Sequence, residues 1–192
     1  MKKINPQQCL VAFKEWQIVA QAMVRGEQTV ILRKGGISEG RTGFQWLHDR
    51  FFLFPSLFHE QINRVKPNPD GSRRTLETLA QVDGRITFDV YIEALSTGLI
   101  TDWEEVRRLD PFHIWSEATI RERFEWGDKP GISYAVVQPY FLKEPLFLED
   151  CDSFGGCRSW LTLPSEEGGV WRERSKQAKR VIPNCGRPDW LL

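Results

Sequence analysis

Arg33, Lys34, Gly35 and Gly36 close a β-branched run, Gln28 to Lys34 (QTVILRK). Two cations at a strand end followed by bare backbone can hold an anion. The guanidinium fork grips phosphate, and glycine admits a close approach. The same four residues also describe a strand terminus with two solvated charges and a glycine turn, and both readings stay open. Downstream, Gln45, Trp46 and His48 lie in a polar loop beside Phe44. An indole stacks on a base, and the amides of Gln45 and Gln28 match a base edge.

The three histidines are His48, His59 and His113. The spacing of His48 and His59 is not that of a zinc site, so no metal is expected. Acid–base work by His48 or His59 finds no evident nucleophile beside either. His59, with Glu60 and Gln61, follows an apolar strand, where loops often carry function. His113, between Phe112 and Ile114, reads as a core residue. Asp83, Asp89 and Glu93 resemble a nuclease's acids, but no lysine follows at matching spacing, and outward polar positions on a half-buried strand explain them better. Cys157 becomes a nucleophile only if Arg158 or a helix end stabilises its thiolate; otherwise it is an inert buried thiol. These readings leave catalytic residues unassigned, imply no cofactor, and give Gln28, Arg33, Lys34, Gln45, Trp46, His48, His59 and Arg158 as candidate ligand-binding residues.

The elements that position these residues follow from periodicity and punctuation. A helix is expected to start at Asn5–Pro6 and run to Val24, with Leu10, Phe13, Trp16, Ala20 and Val24 on one face and Gly26 ending it. Gln28 to Lys34 and Phe51 to Phe54 read as strands, the second stopped by Pro55. Ser56 to Val65 suggests a short helix, and Lys66 to Arg74 (KPNPDGSRR) a turn. Strict alternation makes 85–94 a half-buried strand. Thr101 with Glu104 has capping-box spacing for a helix to Leu109, and Ser116 caps another burying Ile120 and Phe124. Ile132 to Leu142 is a strand in which Pro139 marks a bulge or an edge. Pro145 to Leu148 and Arg158 to Leu163 read as further strands. Ser165 to Arg180 reads as a charged helix, and the tail from Ile182 as loosely ordered. The expectation is an α+β fold, a small curled mixed sheet or pseudo-barrel with flanking helices. It divides into one domain over 1–164 and a charged C-terminal helix and tail over 165–192.

The chain has 192 residues, with 26 basic side chains balancing 26 acidic ones. Neutrality argues against a strongly basic coat protein but not against a local basic groove. Residues 1–50 hold 8 Lys/Arg against 4 Asp/Glu, while 81–130 hold 6 against 11. No apolar run approaches the length of a membrane span, and the first residues do not resemble a secretory signal. The four cysteines form no CxxC pair, which suits reduced thiols and a cytoplasmic location. P-loop, GxGxxG, HExxH and GxSxG patterns are absent.

Four segments resemble the domain-of-unknown-function 1802 family: FKEWQIVAQAMVRGEQTVILRKGGISE, HDRFFLFPSLFHEQ, HIWSEATIRERFEW and FGGCRSWLTL. The resemblance spans roughly residues 10–165. It implies association with restriction-endonuclease-like proteins and hence with nucleic-acid transactions. Separately, the helix followed by GEQTVILR (Gly26 to Arg33) resembles the GxKxxxxR segment of ASCH domains in the PUA-like superfamily. That implies a small curled β-barrel binding RNA or modified bases. Arg33 matches the motif, whereas its lysine is Gln28 here. Some ASCH proteins are amidohydrolases using a Lys–Thr–Glu set, and the second Thr position is Ile31. A glutamine cannot take the proton that such a lysine takes. The function expected is therefore binding of RNA or modified DNA through the basic strand-end loop. The alternatives are a hydrolase acting on a nucleoside or nucleic acid in the same cleft, and a domain that docks a protein partner.

Overall fold

A computed structural model describes residues 10–34, 44–57, 60–76, 80–156, 158–163 and 168–192. The strands are β1 (Val11–Trp16), β2 (Val30–Arg33), β3 (Arg50–Ser56), β4 (Gln81–Val82), β5 (Arg85–Ile100), β6 (Ile132–Glu149), β7 (Trp160–Thr162) and β8 (Lys179–Arg180). The helices are α1 (Gln17–Val24), α2 (Trp103–Arg107), α3 (Glu117–Glu125) and α4 (Gly168–Gln177). All eight strands join one curled mixed sheet, ordered β2-β6-β5-β3-β1-β7, with β4 on β5 and β8 on β6. The pair β1–β3 is parallel and the others are antiparallel. The sheet does not close into a barrel, because β2 and β7 remain its two ends.

The helix expected from Asn5–Pro6 to Val24 is instead a strand followed by a helix. Asn5 and Pro6 lie outside the described residues. Val11, Ala12 and Phe13 are buried on both faces because β1 lies between β3 and β7. Two-sided burial erases the period of two, and the spacing of Phe13, Trp16 and Ala20 then imitates a helix. Pro55 also fails to stop β3, which continues through Ser56. There β3 has lost β5, whose pairing covers only Arg50–Phe52, so the missing N–H of Pro55 is tolerated. The expected helix at 56–65 is reduced, among the described residues, to a 3-10 turn over Gln61–Arg64.

The central antiparallel pair of β5 and β6 supplies the curl. Both strands are longer than expected, and β6 unites the two segments read separately as 132–142 and 145–148. Pairing shifts between Phe88 and Val90 and again between Ala94 and Ser96, and such bulges bend and twist a ladder. Pro139 falls in the gap on the β6 flank between the end of β2 pairing at Val136 and the start of β8 pairing at Tyr140. Inside the curl sit Phe13, Ile18, Ile31, Phe51, Ile92 and Val137, with α1 and α3 packed against them. The opposite face carries Phe52, Phe54, Phe88 and Leu161, covered by Trp171 of α4. Ser116 caps α3 by accepting from Thr119 N–H, as expected; α2 is capped by Asp102 rather than Thr101. Among the described residues no helix is long and apolar enough to cross a membrane.

The tail from Ile182 is fastened to the domain rather than loose. Asn184 N–H donates to Gly26 O at 2.8 Å, Asn184 Nδ2 to Arg25 O at 2.9 Å, and Thr29 Oγ1 to Gly186 O at 2.8 Å. Gly26 has φ +75°, and a Cβ there would lie 2.6 Å from Ile182 O. Gly26→Ala is therefore expected to cost more than about 1 kcal/mol, from left-handed strain and loss of the tail contact. Urea unfolding measures the loss, and faster hydrogen exchange at Asn184 and Cys185 reports the loosened tail; unchanged exchange there would contradict this anchoring.

Candidate functional site

The two ends of the sheet face each other across one end of the curl, and a side chain spans them. Arg33, the last residue of β2, donates from Nε and Nη2 to Ser159 Oγ, at 3.3 and 3.1 Å. Ser159 precedes β7 and is buried, and its carbonyl accepts from Lys14 N–H in β1 at 2.8 Å. The Arg33 guanidinium also lies over the Phe13 ring, 5.4 Å from its centroid. Among the described residues Arg33 Nη1 has no hydrogen-bond partner.

Beneath this bridge is a buried polar cluster that the sequence did not single out. Glu15, the penultimate residue of β1, is 1% exposed. Its Oε1 accepts from Trp16 N–H at 2.8 Å, while Oε2 is buried without a hydrogen-bond partner. Burial pushes its carboxyl above the ordinary 4.5, opposed by the charges of Arg33 and Arg123 and by the Trp16 N–H. Arg123 of α3 lies 3.9 Å from the Trp115 ring centroid and 5.3 Å from that of Trp16. Burial drives its guanidinium down to about 10, with Glu15 opposing that shift. A carboxylate sharing its strand face with Phe13, within VAFKEW, is the one available signal for Glu15. Arg123 carried none, since α3 holds several other charges.

An aromatic wall adjoins the cluster. Trp46 packs on Phe13, Phe44, Phe51 and Trp160, and its Nε1 is buried without a partner. Trp115 Nε1 is likewise unpartnered. His48 meets Trp160 edge to face at 5.0 Å, and burial lowers its pKa, with Asp49 opposing. Gln45 is exposed, and its carbonyl accepts from Trp160 Nε1 at 3.3 Å. Arg158 is exposed next to Ser159. Arg33, Trp46, His48 and the Gln45 backbone are thus linked through Phe13, Ser159 and Trp160, and Arg158 adjoins Ser159 in the chain.

Two expected site residues have other employment. Gln28 is fully buried: Nε2 donates to Val30 O at 2.9 Å, and Oε1 accepts from Ile114 N–H at 3.1 Å. Both ends of its amide serve backbone, so it clamps β2 to the segment before α3 and does not read a base. Lys34 Nζ donates to the carbonyls of Phe124, Lys129 and Gly131 at 3.2, 2.8 and 2.8 Å. It stitches the end of α3 to the start of β6, and burial lowers its pKa. The expected phosphate-holding Arg33–Lys34 pair is therefore reduced to Arg33. His59 and Cys157 lie outside the described residues, as do Gly35 and Gly36.

The acids do not act as a group. Asp83 sits in a turn at φ +51°, Asp89 lies at a β5 bulge, and Glu93 pairs with Arg50 and accepts from Tyr140 Oη. His113 is a core histidine, 4% exposed and held neutral at about 3 chiefly by burial.

A curled α+β fold is shared with solved structures of the ASCH protein from Zymomonas mobilis. A serine-to-alanine mutant of that protein is 14% identical, with a TM-score of 0.53 over 91% of this chain and 100% of that one. The parent structure is 15% identical, with a TM-score of 0.50 over 90% and 97%. At such identity the likeness is one of fold. No match is found among curated proteins. The family model described as "Domain of unknown function (DUF1802)" matches residues 12–175, and the chain belongs to that family.

A raised carboxyl pKa carries a stability signature. Below the ordinary value Glu15 is protonated both folded and unfolded and costs nothing. As pH rises above 4.5 through its higher folded value, stability is lost, and then levels off. Glu15→Gln abolishes that slope. The wild type should therefore gain stability relative to Glu15→Gln as pH falls from 7 towards 4.5, measured by urea unfolding. Parallel pH curves would remove Glu15 as a buried titrating group.

Proposed function

We propose that this chain is a nucleic-acid-binding module that takes single-stranded RNA, or a modified DNA base, at the mouth between β2 and β7. One observation carries the reading. Three buried polar atoms without partners, Glu15 Oε2, Trp46 Nε1 and Trp115 Nε1, gather around two guanidiniums at one end of the fold. Buried polar groups are nearly always satisfied, so a concentration of unsatisfied ones suits a place that a polar ligand completes. The chemistry matches a nucleotide. Arg33 Nη1 and the exposed Arg158 suit phosphate, an ionised Glu15 Oε2 or a neutral one suits a base edge, and the ring of Trp160 or His48 offers a stacking face.

Hydrolysis of a nucleoside or nucleic acid in the same cleft is the second reading. It is favoured by the burial that raises the Glu15 carboxyl towards the range of a general acid. Association with a restriction-endonuclease-like protein belongs to the same proposal as a route by which bound nucleic acid is delivered.

Fluorescence anisotropy with labelled single-stranded and duplex RNA and base-modified DNA, across a salt series, tests the binding. Arg33→Ala is expected to weaken binding by about 10-fold or more, since charge-assisted bonds are worth roughly 1.5–3 kcal/mol. Arg158→Ala should reduce the salt slope by about one charge. Binding that is undiminished in Arg33→Ala, or absent at low salt, would discard the mouth as the site. Product formation that vanishes in Glu15→Gln while binding persists would establish the hydrolase reading.

A further inference from the structure

A second cluster of guanidiniums lies on the flank of β6, away from the mouth. Gln138 is 2% exposed, and its amide is oriented by backbone: Nε2 donates to Pro139 O at 2.7 Å and to Val181 O at 2.9 Å. Its Oε1 is thereby fixed as an acceptor. Arg180 Nε donates to that oxygen at 2.8 Å, and Arg187 Nη2 donates to the same atom. Two cations thus share one neutral oxygen, and neither is in an ion pair among the described residues. Arg187 Nε is buried without a partner.

The nearby groups do not discharge this pair. Glu93 is matched by Arg50 and by the Tyr140 hydroxyl. Burial raises both Tyr140 and Cys185, which keeps them neutral. Asp189 is the carboxylate acting on Arg187, without a direct ion pair, while burial and the Arg180 charge both lower the Arg187 pKa. Like charges brought together by well-ordered backbone, with no counter-charge in contact, are what an anion site requires.

The backbone is well ordered for a reason. Arg180 lies opposite Tyr140 in the β6–β8 ladder, and Val181 N–H donates to Pro139 O at 3.0 Å. Arg187 follows Gly186, at φ +72°, whose carbonyl accepts from Thr29 Oγ1 at 2.8 Å, and it precedes the buried Pro188. Each guanidinium is therefore positioned before any ligand arrives, which lowers the entropic cost of capture.

We propose that Arg180 and Arg187, held by Gln138, form an anion site that takes a phosphoryl group. The remaining N–H groups of the two forks supply the donors, and Gln138 is a positioning residue that sets their separation. The site is independent of the mouth: it stands whether or not Arg33 binds RNA. Its phosphoryl group comes either from a free phosphate or mononucleotide, or from the backbone of a polynucleotide.

The test uses the full chain. Thermal unfolding is followed in sodium phosphate and in sodium chloride at matched ionic strength, and phosphate is titrated while the arginine Nε–H signals are observed by NMR. Phosphate is expected to raise Tm progressively where chloride does not, as a ligand of the native state must. The Nε–H signals of Arg180 and Arg187 should move saturably. In the double variant Arg180→Gln, Arg187→Gln, each new amide keeps a donor for Gln138 Oε1. There the apparent phosphate affinity should fall at least 10-fold, whereas Arg85→Gln, which removes an arginine from an exposed ion pair with Glu149, should leave it unchanged. Equal Tm in both salts with no saturable signal shift overturns the proposal, as does a full phosphate response in the double variant. Competition by uridine 5′-monophosphate against a single-stranded RNA decamer then distinguishes a free ligand from a polymer backbone, and a win by either upholds the site.

Discussion

The Arg33 guanidinium joins the two free ends of the sheet. A ladder between β2 and β7 would close the barrel and seal this end with backbone hydrogen bonds. The sheet stops short of that, and two nitrogens of one side chain on Ser159 Oγ take the ladder's place. A side-chain bridge excludes far less space than a strand. It lets Glu15 and Arg123 lie at the end of the core beside Trp16 and Trp115, where a closed barrel would place apolar side chains.

That arrangement has an energetic cost. Glu15 and Arg123 are both taken out of water, and Arg33 lies between them in influence, favouring the Glu15 carboxylate while disfavouring the Arg123 charge. Removing one member of such a buried set typically costs about 3–5 kcal/mol, whereas replacing the whole set by apolar residues is often neutral. The cluster is thus no economical way to stabilise a fold. Its presence under an aromatic wall makes better sense as a feature kept for a ligand, with the polar atoms arranged before binding.

Local signals in the sequence were legible where one cause determines the structure. Alternation from Ile86 to Ile92 gave the start of β5, Ser116 gave the start of α3, and the β-branched run gave β2. Signals failed where burial is two-sided or where a residue's partner is distant in the chain. The residues of β1 carry a helix-like spacing because both faces of the strand are covered. Lys34 and Gln28 have residue types suited to a phosphate and a base, but the partners that occupy them, at Phe124, Lys129, Gly131 and Ile114, lie some 80–100 residues away. Arg33, Trp46, His48 and the Gln45 backbone are linked through Phe13, Ser159 and Trp160, because the strand ends and loops that carry them lie side by side. Glu15 was hidden because a carboxylate within a strand ordinarily marks a solvent-facing position.

Zero net charge is compatible with the two proposed anion sites because position, not total, sets the local field. Among the described residues several arginines are spent in ion pairs, such as Arg50 with Glu93, Arg85 with Glu149 and Arg74 with Glu27. Arg33, Arg180 and Arg187 instead rest on neutral oxygens, those of Ser159 and Gln138. A neutral partner fixes a guanidinium without cancelling its charge, so the field of each persists at the surface. Both groups lie on the flank of β6 opposite β5: Arg33 pairs with Ser133 through β2, and Arg180 with Tyr140 through β8. At about 3.3 Å per residue these register positions are roughly 23 Å apart along an extended strand. A mononucleotide is too short to touch both, so only an extended polyanion can couple them. If such a ligand binds, the two sites act through its length, and the effective concentration at the second rises once the first is filled.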